Sequence, residues 1–151
     1  MWCVIVTDKK VSKGAIHRIW TVRVFVSDQE SSIDFFRDVL ELPVVLDAPR
    51  FGWVELGPDD ERAKIALVEP NSDADPIMYE WQLNQIGRNT GITFETHDID
   101  KFYKKMKERG VRFFMLPEEM PWGGIMAGFE DPDGNRYNIV EDPEHYTRDY
   151  S

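Results

Sequence analysis

Phe129-Glu-Asp-Pro-Asp-Gly-Asn-Arg-Tyr-Asn-Ile-Val-Glu141 decides the fold. Its Asp131-Pro-Asp-Gly134 core is a tight-turn composition that feeds straight into a strand over residues 136–141, the strand that closes a domain. Working backwards, residues 125–129 and 111–115 read as two further strands, separated by the Pro- and Gly-containing loop 117–124. Ahead of them, residues 92–96 alternate like a strand, and Asp98 is placed to cap a helix with Ile99, Phe102 and Met106 on its inner face. Gly110 supplies the left-handed stop.

The first half of the chain repeats this order. Residues 19–26 alternate like a strand. Asp28 or Ser31 can cap a helix whose Ile33, Phe36, Val39 and Leu40 share one face, and Leu42-Pro43 ends it. Three strand-like runs follow at 44–46, 52–56 and 64–68, punctuated by Ala48-Pro49 and by Gly57-Pro-Asp-Asp60. The class is therefore α+β: two βαβββ modules, at 16–70 and 91–142, joined by a polar linker over 71–90 that holds a possible short helix at 78–86. A 1–15 extension precedes them and a 143–151 tail follows. A single module leaves one sheet face bare, so two must pair, face to face or edge to edge.

Composition narrows the functional classes. With 151 residues, the chain suits one domain with a real core. A formal charge of -10 argues against a sequence-independent grip on nucleic acid or on an anionic membrane. The lysines of Lys101-Phe-Tyr-Lys-Lys-Met-Lys107 alternate with apolar residues at helical spacing and read as a solvated helix face. One cysteine, Cys3, permits no internal disulfide and no zinc cluster. The opening Trp2-Cys-Val-Ile-Val6 is too short to span a bilayer and lacks the charge order of a signal peptide, so a cytoplasmic protein is expected. The chain carries no nucleophile elbow, no phosphate-binding glycine loop and no His-Glu-x-x-His helix.

The 129–141 stretch, taken with Val24-Phe-Val-Ser-Asp-Gln-Glu-Ser-Ser-Ile-Asp-Phe-Phe-Arg-Asp-Val-Leu-Glu-Leu42, resembles the vicinal oxygen chelate superfamily of glyoxalases, bleomycin-resistance proteins and extradiol dioxygenases. The resemblance covers roughly residues 16–142 and implies paired modules forming a partial barrel around a cavity, commonly in a homodimer. In metal-dependent members four side chains converge on one ion, and histidine and glutamate suit Fe, Mn, Ni or Zn there. Carried onto this chain, those positions fall on Thr21, Ala66, Gly91 and Asn138, none of them a good ligand. His17 lies four residues before Thr21, about 13 Å along an extended strand and too far to share an ion. His97 sits at a strand-to-helix junction, and His145 lies in the tail.

No native metal or other cofactor is therefore expected, with a divalent ion such as Fe, Mn, Ni or Zn as the alternative. Strand alternation names the lining of the implied cavity: Thr21, Arg23 and Phe25; Trp53 and Glu55; Thr93 and Glu95; Met126; Asn138; and Trp122 at the rim. This is the make-up of a small-molecule site, aromatic with a few polar groups. Arg23 could hold an anionic group through a bidentate contact. Alternatively, Arg23 and Glu95 form a partly buried ion pair between modules. Glu95 is the candidate general base, should burial raise its pKa. The expected function is metal-independent binding of a small aromatic or anionic molecule. The alternatives are a lyase, isomerase or dioxygenase of the same superfamily, and a non-catalytic interaction module whose cavity is filled by its own side chains.

Overall fold

The computed structural model describes residues 12–60 and 62–141. Trp2, Cys3, His145 and the tail lie outside the described residues. The first module runs β1 (Thr21–Phe25), α1 (Gln29–Asp34), β2 (Val44–Ala48), β3 (Trp53–Leu56) and β4 (Lys64–Val68). The linker carries α2 (Pro76–Leu83). The second module runs β5 (Asn89–Glu95), α3 (Ile99–Glu108), β6 (Arg112–Glu119), β7 (Ile125–Glu130) and β8 (Arg136–Glu141). Each module is a four-stranded mixed sheet, ordered β1-β4-β3-β2 in one and β5-β8-β7-β6 in the other. The only parallel pair in each sheet joins its first strand to its last, across the helix. Among the described residues no helix is long and apolar enough to cross a membrane.

Local chemistry fixes the helix starts. The Asp28 carboxylate accepts from the Ser31 amide at 2.9 Å and the Asp98 carboxylate from the Lys101 amide at 2.9 Å, so equivalent caps open both module helices. In the first module α1 continues as a π turn over Phe35–Val39, closed by the Leu40 amide donating to the Phe35 carbonyl at 3.0 Å. The extra residue in that turn lets the adjacent Phe35 and Phe36 both turn inward. Glu41 follows at φ +60°, and its carboxylate receives Lys105 at 2.7 Å and Arg109 at 3.1 Å. Hydrogen bonds from Lys105 and then Arg109 hold that carboxyl below the usual range.

One face of each sheet is covered, and the two covered faces share a core. Val24, Val54, Leu56, Ile65 and Leu67 from the first sheet join Ala127, Phe129, Tyr137 and Ile139 from the second. Phe36 sits at the seam, fully buried, with its ring edge-on to Tyr137 at 5.6 Å. The Asp131-Pro-Asp-Gly134 turn locks the modules together. Asp133 accepts from the Ser27 amide at 2.9 Å and from the Ser27 hydroxyl, while the Asn135 amide donates to the Phe25 carbonyl at 3.2 Å. Beneath the turn, the buried Asp131 carboxylate accepts from Tyr137 Oη, Asn135 Nδ2 and the backbone amides of Asp133 and Asn135. Burial still pushes the Asp131 carboxyl up, and burial together with the Asp131 charge pushes the Tyr137 phenol up.

The expected partial barrel is built as two sheets that do not close on each other. No strand of one pairs with a strand of the other. The faces away from the shared core remain open, carrying exposed Arg23 and Leu46 on the first sheet and Thr93, Glu95, Phe114 and Leu116 on the second.

Candidate functional site

Strand register builds the open face of the first sheet row by row. Arg23 pairs with Ala66, Ala66 with Glu55, and Glu55 with Leu46, so these four side chains cross the sheet on one side. Thr21 lies beside Lys64 in the row before and Phe25 beside Val68 in the row after. Ala66 keeps the centre of the middle row shallow. Above it, the Arg23 guanidinium lies 5.9 Å from the centroid of the Trp53 ring, and Trp53 Nε1 donates to Glu55 Oε1 at 2.8 Å. Cation, indole and carboxylate thus form one connected unit. Phe25 extends the aromatic wall to α2, where it meets Trp81 edge-on at 5.8 Å. Asp75 caps α2 by accepting from the amides of Ile77 and Met78, and Pro76 takes its first turn.

Glu55 is 5% exposed. Its Oε1 is taken by Trp53, Oε2 has no donor among the described residues, and no buried side-chain oxygen of those residues is left without a partner. Oε2 therefore reaches solvent from an otherwise enclosed side chain. No cation among the described residues stands within ion-pair distance of it.

The open face of the second sheet is assembled differently. Thr93 pairs with Asn138 and Asn138 with Gly128, while Glu95 pairs with Val140 and Val140 with Met126. A register shift between Phe113 and Met115 throws the Phe114 ring across Gly128, where an added Cβ would lie 2.3 Å from the ring. Arg136 covers that ring at 4.8 Å, and its Nε donates to Glu130 at 3.1 Å. Trp122 lies over Gly124 in the β6–β7 hairpin, its nearest ring atom 1.9 Å from an ideal Cβ there.

The anticipated lining thus falls into two groups. Thr21, Arg23, Phe25, Trp53 and Glu55 gather on one open face, and Thr93, Glu95, Met126 and Asn138 on the other. Arg23 and Glu95 stand on separate sheets and form no ion pair. Glu95 is exposed, as is His97. The sequence reading missed Leu46 and Phe114. Phe114 hides because the bulge breaks the alternation that would have placed it.

The four positions aligned with metal ligands offer one hydroxyl, Thr21, one amide, Asn138, and two side chains without a donor. Gly91 adopts φ +71°, a conformation that disfavours any larger residue. Among the described residues no three His, Cys, Asp or Glu side chains cluster to hold a metal. One small cleft, about 210 Å³, opens between the modules and is lined by Leu40, Leu42, Phe94, Glu95, Thr96, Phe102, Phe129 and Ile139. It falls below the usual size of a drug-like ligand site, so the open face of the first sheet is the stronger candidate.

Comparison with known proteins agrees with this architecture. The uncharacterized protein YurT of Bacillus subtilis is 33% identical over 129 residues, spanning 82% of this chain and 98% of its own. A solved superfamily member from Sphaerobacter thermophilus has a TM-score of 0.71 at 37% identity, covering 84% of this chain and 98% of that one. TnmS3, an antibiotic binding protein from Streptomyces sp. CB03234, has a TM-score of 0.69 at 29% identity, covering 85% and 98%. Residues 18–139 match the family model from ahead of β1 into β8. That match takes in nearly all of both modules, and the chain belongs to the Glyoxalase/Bleomycin resistance protein/Dioxygenase superfamily.

Proposed function

We propose that this protein is a metal-independent binder of a small aromatic molecule, held on the open face of the first sheet and enclosed by a second copy of the chain. The observation that carries the reading is the Arg23–Trp53–Glu55 unit: an aromatic surface with an exposed guanidinium at one side and a carboxylate oxygen at the other. Arg23 would meet an acceptor or anionic group of the ligand, while Trp53 and Phe25 supply apolar area. The likeness to an antibiotic binding protein at 29% identity supports sequestration over turnover. The donor-poor set Thr21, Ala66, Gly91 and Asn138 supports binding without a metal, so no step is routed through one.

The second copy enters from surface area. A ligand site buries some 70–90% of its ligand, and one flat sheet face covers only one side. Leu46, Phe114, Leu116 and Trp122 are 44%, 41%, 61% and 43% exposed, which gives both open faces apolar area to lose on pairing. Two-fold pairing would bring each first-sheet face against a second-sheet face twice over. A lyase, isomerase or dioxygenase acting through Glu95 is less favoured, because that carboxylate is exposed instead of enclosed.

The test is metal content by plasma mass spectrometry on untagged protein prepared without chelator, followed by a screen of planar aromatic compounds read by tryptophan fluorescence. Substoichiometric metal, and hits lost in Trp53→Ala and weakened in Arg23→Ala, are expected. Tightly held stoichiometric metal, or binding indifferent to both substitutions, overturns the reading.

A further inference from the structure

We infer that Glu55 is a recognition subsite for a protonated amine on the ligand. The inference rests on the aromatic-binding reading above and deepens it. A carboxylate enclosed to this degree is costly unless it is paired, and among the described residues Glu55 has a single neutral donor, the Trp53 indole N–H at 2.8 Å. The backbone of Arg23, the cation of its own row, is two strands away across Ala66, roughly 9–10 Å by strand spacing, and its guanidinium makes no ion pair with Glu55. Arg23 is also drawn over the Trp53 ring, 5.9 Å from its centroid. On the other side stands Leu46, which offers no donor.

Oε2 therefore faces the open side of the sheet with acceptor capacity that no group of the described chain uses. Its surroundings, Trp53, Ala66 and Leu46, are low in polarity and shallow. A ligand ring laid on that surface would bring an ammonium within reach of Oε2, and covering the face would remove competing water. A neutral hydroxyl in the same place gains only an ordinary hydrogen bond. A hydrogen bond to a charged group is worth about twice a neutral one. The selectivity for amine over alcohol is therefore roughly five- to tenfold.

The experiment uses a matched series, 2-naphthylmethylamine and 2-naphthylmethanol, titrated into the full chain near neutral pH and followed by calorimetry and tryptophan fluorescence. The amine is expected to bind roughly five- to tenfold tighter. Glu55→Gln should bring the two compounds within about twofold of each other while alcohol binding persists, which also certifies that the variant is folded. Glu55→Asp should restore part of the preference. Equal binding of the two compounds by the natural chain, or an amine preference that survives in Glu55→Gln, refutes the subsite and leaves the aromatic-binding reading standing. Failure of both compounds to bind overturns the aromatic-binding reading and the subsite with it.

Discussion

Replacing Phe36 by alanine tests whether the two modules are one cooperative unit. Phe36 is fully buried at the seam, edge-on to Tyr137 at 5.6 Å and to Phe35 at 5.4 Å. Removing a buried phenylalanine costs about 3–5 kcal/mol, of which each favourable ring pair accounts for about 0.5–1.5. Against a total stability of about 5–15 kcal/mol for a domain of this kind, that is a large fraction. At this chain length 1 kcal/mol shifts the melting temperature by roughly 2–4 °C, so a fall of about 6–20 °C is expected. Urea unfolding followed by tryptophan fluorescence should give one transition in both proteins, with a lower midpoint and an unchanged slope in the variant. A loss under about 1 kcal/mol, or two resolved transitions in the natural chain, would refute a shared core centred on Phe36.

Three further substitutions probe the joint and the open face. Asp133→Ala removes both Ser27 contacts across the modules and should cost about 1–3 kcal/mol by urea titration; a Ser27→Ala background should absorb most of that loss. Asp131 has its carboxyl raised by burial, so its contribution is present below the unfolded value near about 3.9 and is lost as pH rises through the raised one. The stability advantage of the natural chain over Asp131→Asn should therefore shrink as pH rises above about 4, and a constant or growing advantage would refute that sign. Gly128→Ala puts a Cβ 2.3 Å from the Phe114 ring, which is 41% exposed and free to swing outward, so the cost should be about 1 kcal/mol and should vanish in a Phe114→Ala background.

The repeat of βαβββ was legible because period-two and period-3.6 patterns alternate twice with turn residues between them. Asp28 and Asp98 are where the cap rule puts them, three residues ahead of the amide each accepts. The features that escaped have physical reasons. A π turn at Phe35–Val39 leaves no mark in side-chain period, since one extra residue per turn only rotates the following face. Pro76 and Asp75 start α2 two residues earlier than apolar spacing alone suggested. At the candidate site, alternation placed Trp53 and Glu55 on the face of Arg23, but it carries no information on which sheet face meets which. That is why the pairing of Arg23 with Glu95 could be weighed from sequence and was decided only in three dimensions, where both side chains are exposed and no ion pair joins them. The Trp53-to-Glu55 hydrogen bond depends on a ring orientation no pattern encodes.

The proposed enclosure by a second copy links binding to association. If the ligand is held between a first-sheet face and a partner's second-sheet face, it binds the dimer more tightly than the monomer, and each equilibrium must then strengthen the other by the same factor. Sedimentation across a dilution series, with and without 2-naphthylmethylamine, should show the dimer persisting to lower protein concentration when the amine is present. A probe at about 100 times its dissociation constant, binding the dimer alone, would stabilise it by about 2.7 kcal/mol per site, which is roughly a hundredfold in the association constant. Leu116→Lys sets a charge at a 61% exposed apolar position of the second sheet, on the other sheet from the Arg23–Trp53–Glu55 unit of its own chain. It should weaken association and, through it, amine binding. Amine affinity that is independent of protein concentration and untouched by Leu116→Lys would mean that a single chain binds unaided, and the enclosing copy would have to be abandoned while the first-sheet face kept its role.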